Sequence, residues 1–423
     1  ALVYAGHQFG NWVPILGDGR AILLGEILDK KGLRKDIQLK GSGITPFSRS
    51  GDGRAWLGPV IREYIVSEAM ANLNINTTRS LSAILTGENV IREKKYPGAI
   101  LTRVASSHVR VGTFQYFSYR KDYKSLKILA DYIINRCYPD IKNNKNPYLS
   151  LIEKVMRGQA SLVAKWMGVG FIHGVMNTDN FSISSETIDY GPCAFMDNYE
   201  SNKVFSSIDI MGRYSYKNQP NIAMWNLGCL VSSMLPLIDS NQNNAIKAGR
   251  NLLESFPDLY YAEWLSVFRK KLGLVNSSNN DHLLIKSFLN NMEKQQADFT
   301  LSFRSLKDIV YEYNNLNENF SINNSFFKSK EMKDWIIKWK GTIKIKENGF
   351  KKSYLTLKNS NPAFIARNHN VQNVIDDLLK NNFSSLNNLL HVIRNPYEEN
   401  EHLKEYKKAP LLKEVINETF CGT

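Results

Sequence analysis

His173-Gly174-Val175-Met176-Asn177-Thr178-Asp179-Asn180, followed after a short gap by Asp189-Tyr190-Gly191, is the stretch on which the reading of this chain turns. Asn180 and Asp189 stand nine positions apart and flank the strand-like Phe181-Ser182-Ile183. Both side chains offer hard oxygen, the donor type that Mg²⁺ takes, and a turn between them would bring them together. A magnesium ion held there would bridge to nucleotide phosphates. The competing reading makes Asn180 and Asp189 turn residues that satisfy their own backbone. Asp179 on its own also reads as a turn residue.

The segment before this stretch supplies what phosphates need. Residues 1–115 are Gly-rich, with short apolar runs at Ala21–Leu24, Ile37–Leu39 and Ala99–Leu101 that predict strands separated by turns. Gly17-Asp18-Gly19-Arg20-Ala21 recurs as Gly51-Asp52-Gly53-Arg54-Ala55. Each copy is a tight turn able to present backbone N–H groups and an Arg to an anion. Lys40 ends the strand-like run Asp36–Lys40, and Arg103 and Arg110 follow the third strand. Arg grips phosphate as a bidentate fork and Lys as a point charge. Any one of them also fits a surface ion pair; it is their number within one region that points to a phosphate site.

Helical periodicity appears at roughly 57–73, at Leu151–Met167 and at Ile222–Leu237, with a loop-rich block from Gly168 to Pro220 between the last two. Beyond about residue 240 the chain is Asn/Lys-rich and helical, with polar breaks at Asn276–Asp281 and Asn314–Asn324. The run Ile222–Ile238 contains Asn226, Ser232, Ser233 and Pro236, so it reads as a buried helix and not as a membrane span. The net charge of +14 suits anionic ligands, but Lys spread along the chain without a long block makes a solvated Lys-rich surface its main reason. No basic tract or nucleic-acid motif stands out, so no nucleic-acid partner is expected. The four cysteines form no CxxC pair, which argues against a zinc ribbon or a disulfide scaffold. His7, His108 and His173 have no nucleophile beside them in the motifs and read as structural.

The block from His173 to Gly191 resembles the catalytic and metal loops of protein kinases, H-R-D-x-x-x-x-N and D-F-G. Aligned on those ends, Val175 falls where the kinase base Asp belongs, and a Val cannot accept a proton. Lys40 would be the strand lysine and the helix after it the αC-type helix. Longer strings, YAGHQFGNWVPILGDGRAILLGE (4–26), QLKGSGITPFSRSGDGRAWLG (38–58), FIHGVMNTDNFSI (171–183) and DYGPCAFMD (189–197), closely resemble the selenoprotein O (YdiU) family of pseudokinases.

That resemblance implies an α+β, protein-kinase-like two-lobed fold: a β-rich N-lobe over 1–115, a helical C-lobe over 116–320 and a helical extension over 321–423. It implies AMP transfer from ATP to Ser, Thr and Tyr of proteins, with ATP reversed relative to kinases so that the α-phosphate meets the acceptor. By motif match, Gly17, Gly19, Arg20, Lys40, Asp52, Gly53, Arg103, Arg110 and Asp189 would hold ATP. Asn180 and Asp189 would hold Mg²⁺ or Mn²⁺, and Asp179 would be the proton acceptor. The carboxylate paired with Lys40 would be Glu63 by motif, whereas a helical wheel puts Glu68 nearer the apolar stripe. A protein kinase using Asp179 as base and a silent ATP-binding scaffold remain alternatives. A monomer without a membrane partner is expected, in a bacterial-type cytoplasm, or in a mitochondrion if a eukaryotic leader has been lost from the Met-less start. A disulfide between Cys193 and Cys421, closing the tail over the metal loop, is a hypothesis whose sign would be reductant-dependent activity.

Overall fold

The computed structural model describes residues 1–276, 278–314, 324–344 and 349–420. It is a mixed α/β chain with its longer strands all in the first 105 residues. Strands β1 (Val3–Gln8) and β2 (Asn11–Gly17) form an antiparallel hairpin. Its two-residue turn, Phe9-Gly10, has φ of 52° and 87°. Positive φ at both turn positions matches the right-handed twist of the strands. Phe is an unusual residue for that conformation, and the tip is held from outside: the Phe9 N–H donates to Asn177 Oδ1 at 3.0 Å.

Strands β3 (Ala21–Leu28), β4 (Arg34–Lys40), β5 (Ala55–Trp56), β6 (Arg79–Ile91) and β7 (Lys95–Ala105) make an antiparallel sheet in the order β3-β4-β7-β5, with β6 also paired to β7. The three apolar runs expected as strands lie inside β3, β4 and β7. Helix α1 (Leu57–Asn72) crosses between β5 and β6, on the expected residues. Helices α2 (Val111–Tyr119), α3 (Tyr123–Cys137) and α4 (Pro147–Val169) follow, then the two-residue strands β8 (Phe171–Ile172) and β9 (Ala194–Phe195), which pair with each other. The expected strand at Phe181–Ile183 does not form; Ser182 makes only an isolated bridge to Arg110.

Helix α5 (Gln219–Ile238) covers the long apolar run and passes the length and hydropathy test for a membrane span. Two of its buried polar side chains fix the 173–180 loop. Gln219 Oε1 accepts from the His173 N–H at 3.0 Å, and Asn226 Nδ2 donates to the Met176 carbonyl at 2.9 Å. The helix thus serves as the floor on which the 173–180 loop is fixed. Helices α6 (Gln242–Glu254), α7 (Phe256–Lys271), α8 (Asp281–Lys294), α9 (Phe299–Asn314), α10 (Lys330–Lys344), α11 (Gly349–Ser360), α12 (Asn368–Leu378) and α13 (Ser384–Arg394) complete the described chain. The break expected at Asn276–Asp281 precedes α8; most of the one at Asn314–Asn324 lies outside the described residues.

The last two helices return to α1. Arg62 Nη1 donates to Asn368 Oδ1 at 2.6 Å, and Arg394 Nε donates to Glu68 Oε1 at 3.0 Å. One face of α1 therefore meets the sheet and another meets α12 and α13.

Lys271, the last residue of α7, is 3% exposed. Its Nζ donates to Asn361 Oδ1 at 2.9 Å and stands 4.0 Å from the Phe303 ring centroid. No carboxylate pairs with it among the described residues. Burial pulls its pKa from 10.5 down to about 7. The unfolded chain then holds a proton that the folded chain has shed between about pH 7 and pH 10, so stability is lost as pH falls through that window. Lys271→Met is expected to stabilise the protein at pH 7 by about 1–2 kcal/mol, as uncharged replacements of buried charges commonly do. The gain should shrink toward pH 10. Urea melts at both pH values check it; a less stable variant at pH 7 would refute this account.

Candidate active site

Strand alternation places Gln38 and Lys40 on one face of β4, and pairing sets Arg103 of β7 opposite Gln38. That face looks at α1. Glu63 of α1 accepts from Lys40 Nζ at 2.6 Å, Arg103 Nε at 2.8 Å and Arg103 Nη2 at 2.6 Å. Glu68 is turned away, toward Arg79 and Arg394. The carboxylate that meets Lys40 is therefore Glu63. Asp189 closes the cluster: its Oδ1 lies 2.8 Å from Arg103 Nη2 and 3.3 Å from Lys40 Nζ, and its Oδ2 lies 3.6 Å from Arg110 Nη2.

Burial alone would raise the pKa of Glu63 and Asp189. Arg103 and Lys40 overrule it at Glu63 and hold that carboxyl below its usual value. At Asp189 Arg110 adds to them, and the carboxyl is held well below the usual carboxylate range. Both groups are thus carboxylates at neutral pH. Asp189 has φ of 61°, and the Gly191 N–H donates back to its carbonyl at 2.8 Å, so Asp189-Tyr190-Gly191 is a tight turn as well as part of the cluster.

The first Gly-Asp-Gly turn is built into the site. Asp18 is buried and accepts from Arg110 Nη1 at 3.0 Å, Gln38 Nε2 at 3.0 Å and the Leu2 N–H at 3.1 Å. The loop between β4 and β5 presses on this turn: Thr45 Oγ1 donates to the Asp18 carbonyl at 2.7 Å, and Ser48 Oγ donates to the Gly19 carbonyl. A Cβ on Gly17 would run into the Phe47 ring. The second Gly-Asp-Gly turn is arranged otherwise. Asp52 pairs with Arg92 at 2.9 Å near the surface, and Arg54 pairs with Glu88.

Gly19, Arg20, Lys40, Arg103, Arg110, Asn180 and Asp189 border one cavity of about 190 Å³, with Val175 in its wall. Gly17, Asp52 and Gly53 do not border it. Such a volume is below the ~300–1,000 Å³ of a pocket for a whole ligand and matches the phosphate end of a nucleotide. Arg110 Nε is buried with no hydrogen-bond partner. Among the described residues no cluster of three or more His, Cys, Asp or Glu could hold a metal. Asn180 and Asp189 together supply two oxygen-bearing side chains, which fits Mg²⁺, an ion that takes one or two side chains and completes its shell with phosphates and water.

Asp179 stands beside this cavity without lining it. It belongs to a 3₁₀ turn, Thr178–Asn180, pinned under β1: the His7 N–H donates to Thr178 Oγ1 at 2.8 Å, and Gln8 Nε2 donates to Asp179 Oδ2 at 3.2 Å. The backbone of Gly112, in α2, packs against Asp179 Cα, where a side chain would strike the Ala5 carbonyl. Asp179 is 7% exposed, and its Oδ1 has no partner. Burial raises its pKa from 3.8 to about 6, against the smaller pull of Gln8 and Arg110. It is a carboxylate at neutral pH with one oxygen unsatisfied, which is what a proton acceptor requires.

Gln8 and Asp18 were not among the expected site residues. Asp18 sits in a repeated motif that drew attention only to its glycines and Arg; Gln8 carries no local signal. His173 behaves as expected for a structural histidine, with its Nε2 2.8 Å from the Ile188 carbonyl. Cys193 is buried, and Cys421 lies outside the described residues, so the proposed disulfide does too. The tail does reach the metal loop: Thr419 Oγ1 donates to the Pro192 carbonyl at 2.6 Å.

Comparison with known proteins gives the family. The family model described as protein adenylyltransferase SelO matches residues 1–394. A protein nucleotidyltransferase YdiU of Rhodopseudomonas palustris (strain BisB18) is 50% identical over 424 aligned positions, covering 100% of this chain and 86% of the relative. The protein of the same name from Bradyrhizobium diazoefficiens is also 50% identical with the same coverage. That of Bacillus mycoides (strain KBAB4) is 49% identical, with 85% of its length covered. With the match running through the cation cluster, the 173–191 loops and the helices beyond them, the chain belongs to the SelO family of protein adenylyltransferases.

Proposed function

We propose that this chain moves AMP from ATP onto Ser, Thr or Tyr hydroxyls of proteins, on a two-lobed, protein-kinase-like fold with lobes at 1–115 and 116–320 and a helical extension from 321. The observation that carries the reading is the pairing of a four-cation phosphate cavity with a separate, half-satisfied carboxylate at Asp179. Arg20, Lys40, Arg103 and Arg110 would neutralise the triphosphate and the departing pyrophosphate. Gly17, Asp52 and Gly53, which lie off the cavity wall, would contact the remainder of the nucleotide. Asn180 and Asp189 would hold Mg²⁺ or Mn²⁺, which supplies charge screening at the α-phosphate. The acceptor oxygen forms a bond to the α-phosphorus, the bond to pyrophosphate breaks, and the hydroxyl proton goes to Asp179.

Val175 favours this over γ-phosphoryl transfer, because it removes the base from the position a kinase uses. Labelling with α-³²P-ATP and γ-³²P-ATP in magnesium buffer separates the readings. Label on protein is expected from the α-form alone and is expected to vanish in Lys40→Ala and Asp189→Ala. Equal γ-label would mean kinase chemistry, and nucleotide-dependent thermal stabilisation without label would mean a silent scaffold.

A further inference from the structure

Three consecutive residues of the β1–β2 hairpin hold three consecutive residues of the loop that carries Asp179. The Phe9 N–H donates to Asn177 Oδ1 at 3.0 Å, the His7 N–H to Thr178 Oγ1 at 2.8 Å, and Gln8 Nε2 to Asp179 Oδ2 at 3.2 Å. The first two bonds come from backbone and do not depend on which side chains the hairpin bears. The third comes from a side chain and ends on the carboxylate itself. Strand alternation turns Gly6 and Gln8 toward the loop and the His7 ring away from it, against Trp12 and Trp225. Gly6 lets the strand lie this close: a Cβ there would stand 2.9 Å from Thr178 Oγ1 and 3.2 Å from Asp179 Oδ1.

Among the described residues Gln8 is the one side-chain donor to Asp179, whose Oδ1 has no partner. A carboxylate only accepts, so the amide nitrogen is the end of Gln8 that faces it. The charges around Asp179 act otherwise: Arg110 attracts it and Asp189 repels it. A carboxylate that closes on a guanidinium becomes a weaker base. A neutral amide fixes the same group with a smaller loss of basicity.

We propose that Gln8 is a positioning residue for AMP transfer: its amide holds Asp179 in the orientation from which it takes the acceptor's proton and keeps it from turning onto Arg110. The proposal rests on the AMP-transfer reading with Asp179 as proton acceptor. Gln8 does not border the phosphate cavity, whereas Tyr4 of the same strand and Asp18, just past the end of β2, do. Two effects of losing the Gln8 amide are therefore separable. Loss of aim at Asp179 lowers kcat and leaves the KM for ATP alone. A loosened hairpin would disturb Tyr4 and Asp18 and raise that KM.

Gln8→Met keeps the length of the side chain and loses the donor; Gln8→Leu does the same with a stiffer side chain. Initial rates of label from α-³²P-ATP onto the protein itself and onto casein, measured across ATP concentrations in magnesium buffer beside urea melts, test the proposal. Both variants should lose about 10- to 100-fold in kcat, the scale of a misaimed catalytic group. Their KM for ATP should stay within about twofold of the parent's. In the Asp179→Asn background, Gln8→Met should change the residual rate by less than about twofold, because no carboxylate remains to be aimed. Parental kcat in the folded variants overturns the proposal. So does a raised KM at unchanged kcat, or a full loss repeated in the Asp179→Asn background. Failure of both variants to fold would make Gln8 a structural residue and overturn it as well. A parent that labels neither itself nor casein would bring down the AMP-transfer reading, and this proposal with it. A parent that labels while Asp179→Asn keeps its rate would bring down the base, and Gln8 with it, and leave AMP transfer standing.

Discussion

Asp179→Asn should lower AMP transfer about 10²- to 10⁴-fold and, in the same protein, raise stability. The two effects share one cause. The fold buries this carboxyl and lifts its pKa to about 6 from 3.8. In the unfolded chain it ionises at the lower value, so between the two the folded state holds the extra proton and stability falls as pH rises. Above pH 6 the whole penalty is present, of order 2–3 kcal/mol for a shift of about two units. Asn carries no such penalty. Metal-free urea melts should therefore show the variant more stable at pH 7.5 and level with the parent near pH 4. For the parent, activity should climb with pH and level off at or below about pH 6, since a bound divalent cation pulls the carboxyl further down. A variant with parental activity would remove Asp179 from the role of base, and one destabilised at pH 7.5 would overturn the burial penalty.

Glu63→Gln should be the most damaging single change to the fold within the site. Glu63 is 2% exposed and takes three short hydrogen bonds from Lys40 and Arg103, and Arg103 itself is 1% exposed. Removing its charge leaves Lys40 and the buried Arg103 to share Asp189, at a cost of about 3–5 kcal/mol. Glu68→Gln loses only pairs to Arg79 and Arg394, whose side chains are half exposed, and should stay within about 1 kcal/mol. Urea melts of the two variants make the comparison. Equal losses would mean that the Lys40–Glu63–Arg103 cluster contributes nothing beyond a surface pair.

The contrast between these two glutamates shows what sequence reading could reach. A helical wheel assumes one buried face. Helix α1 has two, one against the sheet and one against α12 and α13, so the centre of its apolar stripe did not mark the active face; the motif did. Asn180 and Asp189 were legible because their spacing is local. Lys40, Arg103 and Arg110 were legible as a group, since phosphate chemistry limits the residue types and strand ends limit the places. Gln8 was not, because its role arises from closure of a chain loop of 171 residues onto Asp179. Asp18 escaped for the same reason: its partner Arg110 is 92 residues away. The two Gly-Asp-Gly-Arg turns looked alike in sequence and differ in the fold, because the first is covered by the β4–β5 loop and the second is the end of that loop. Phe181–Ile183 has strand composition but finds no partner strand, only Arg110.

The clamp on α1 has a consequence for the order in which the molecule becomes complete. The helix that carries Glu63 is made early, yet its outer face waits for Asn368 and Arg394. A nascent chain that has released Lys40, Arg103, Asp179 and Asp189 from the ribosome already carries these polar site residues and still has that outer face bare. The helix that carries Glu63 is thus held between a sheet made from the first 105 residues and two helices that begin only at residue 368.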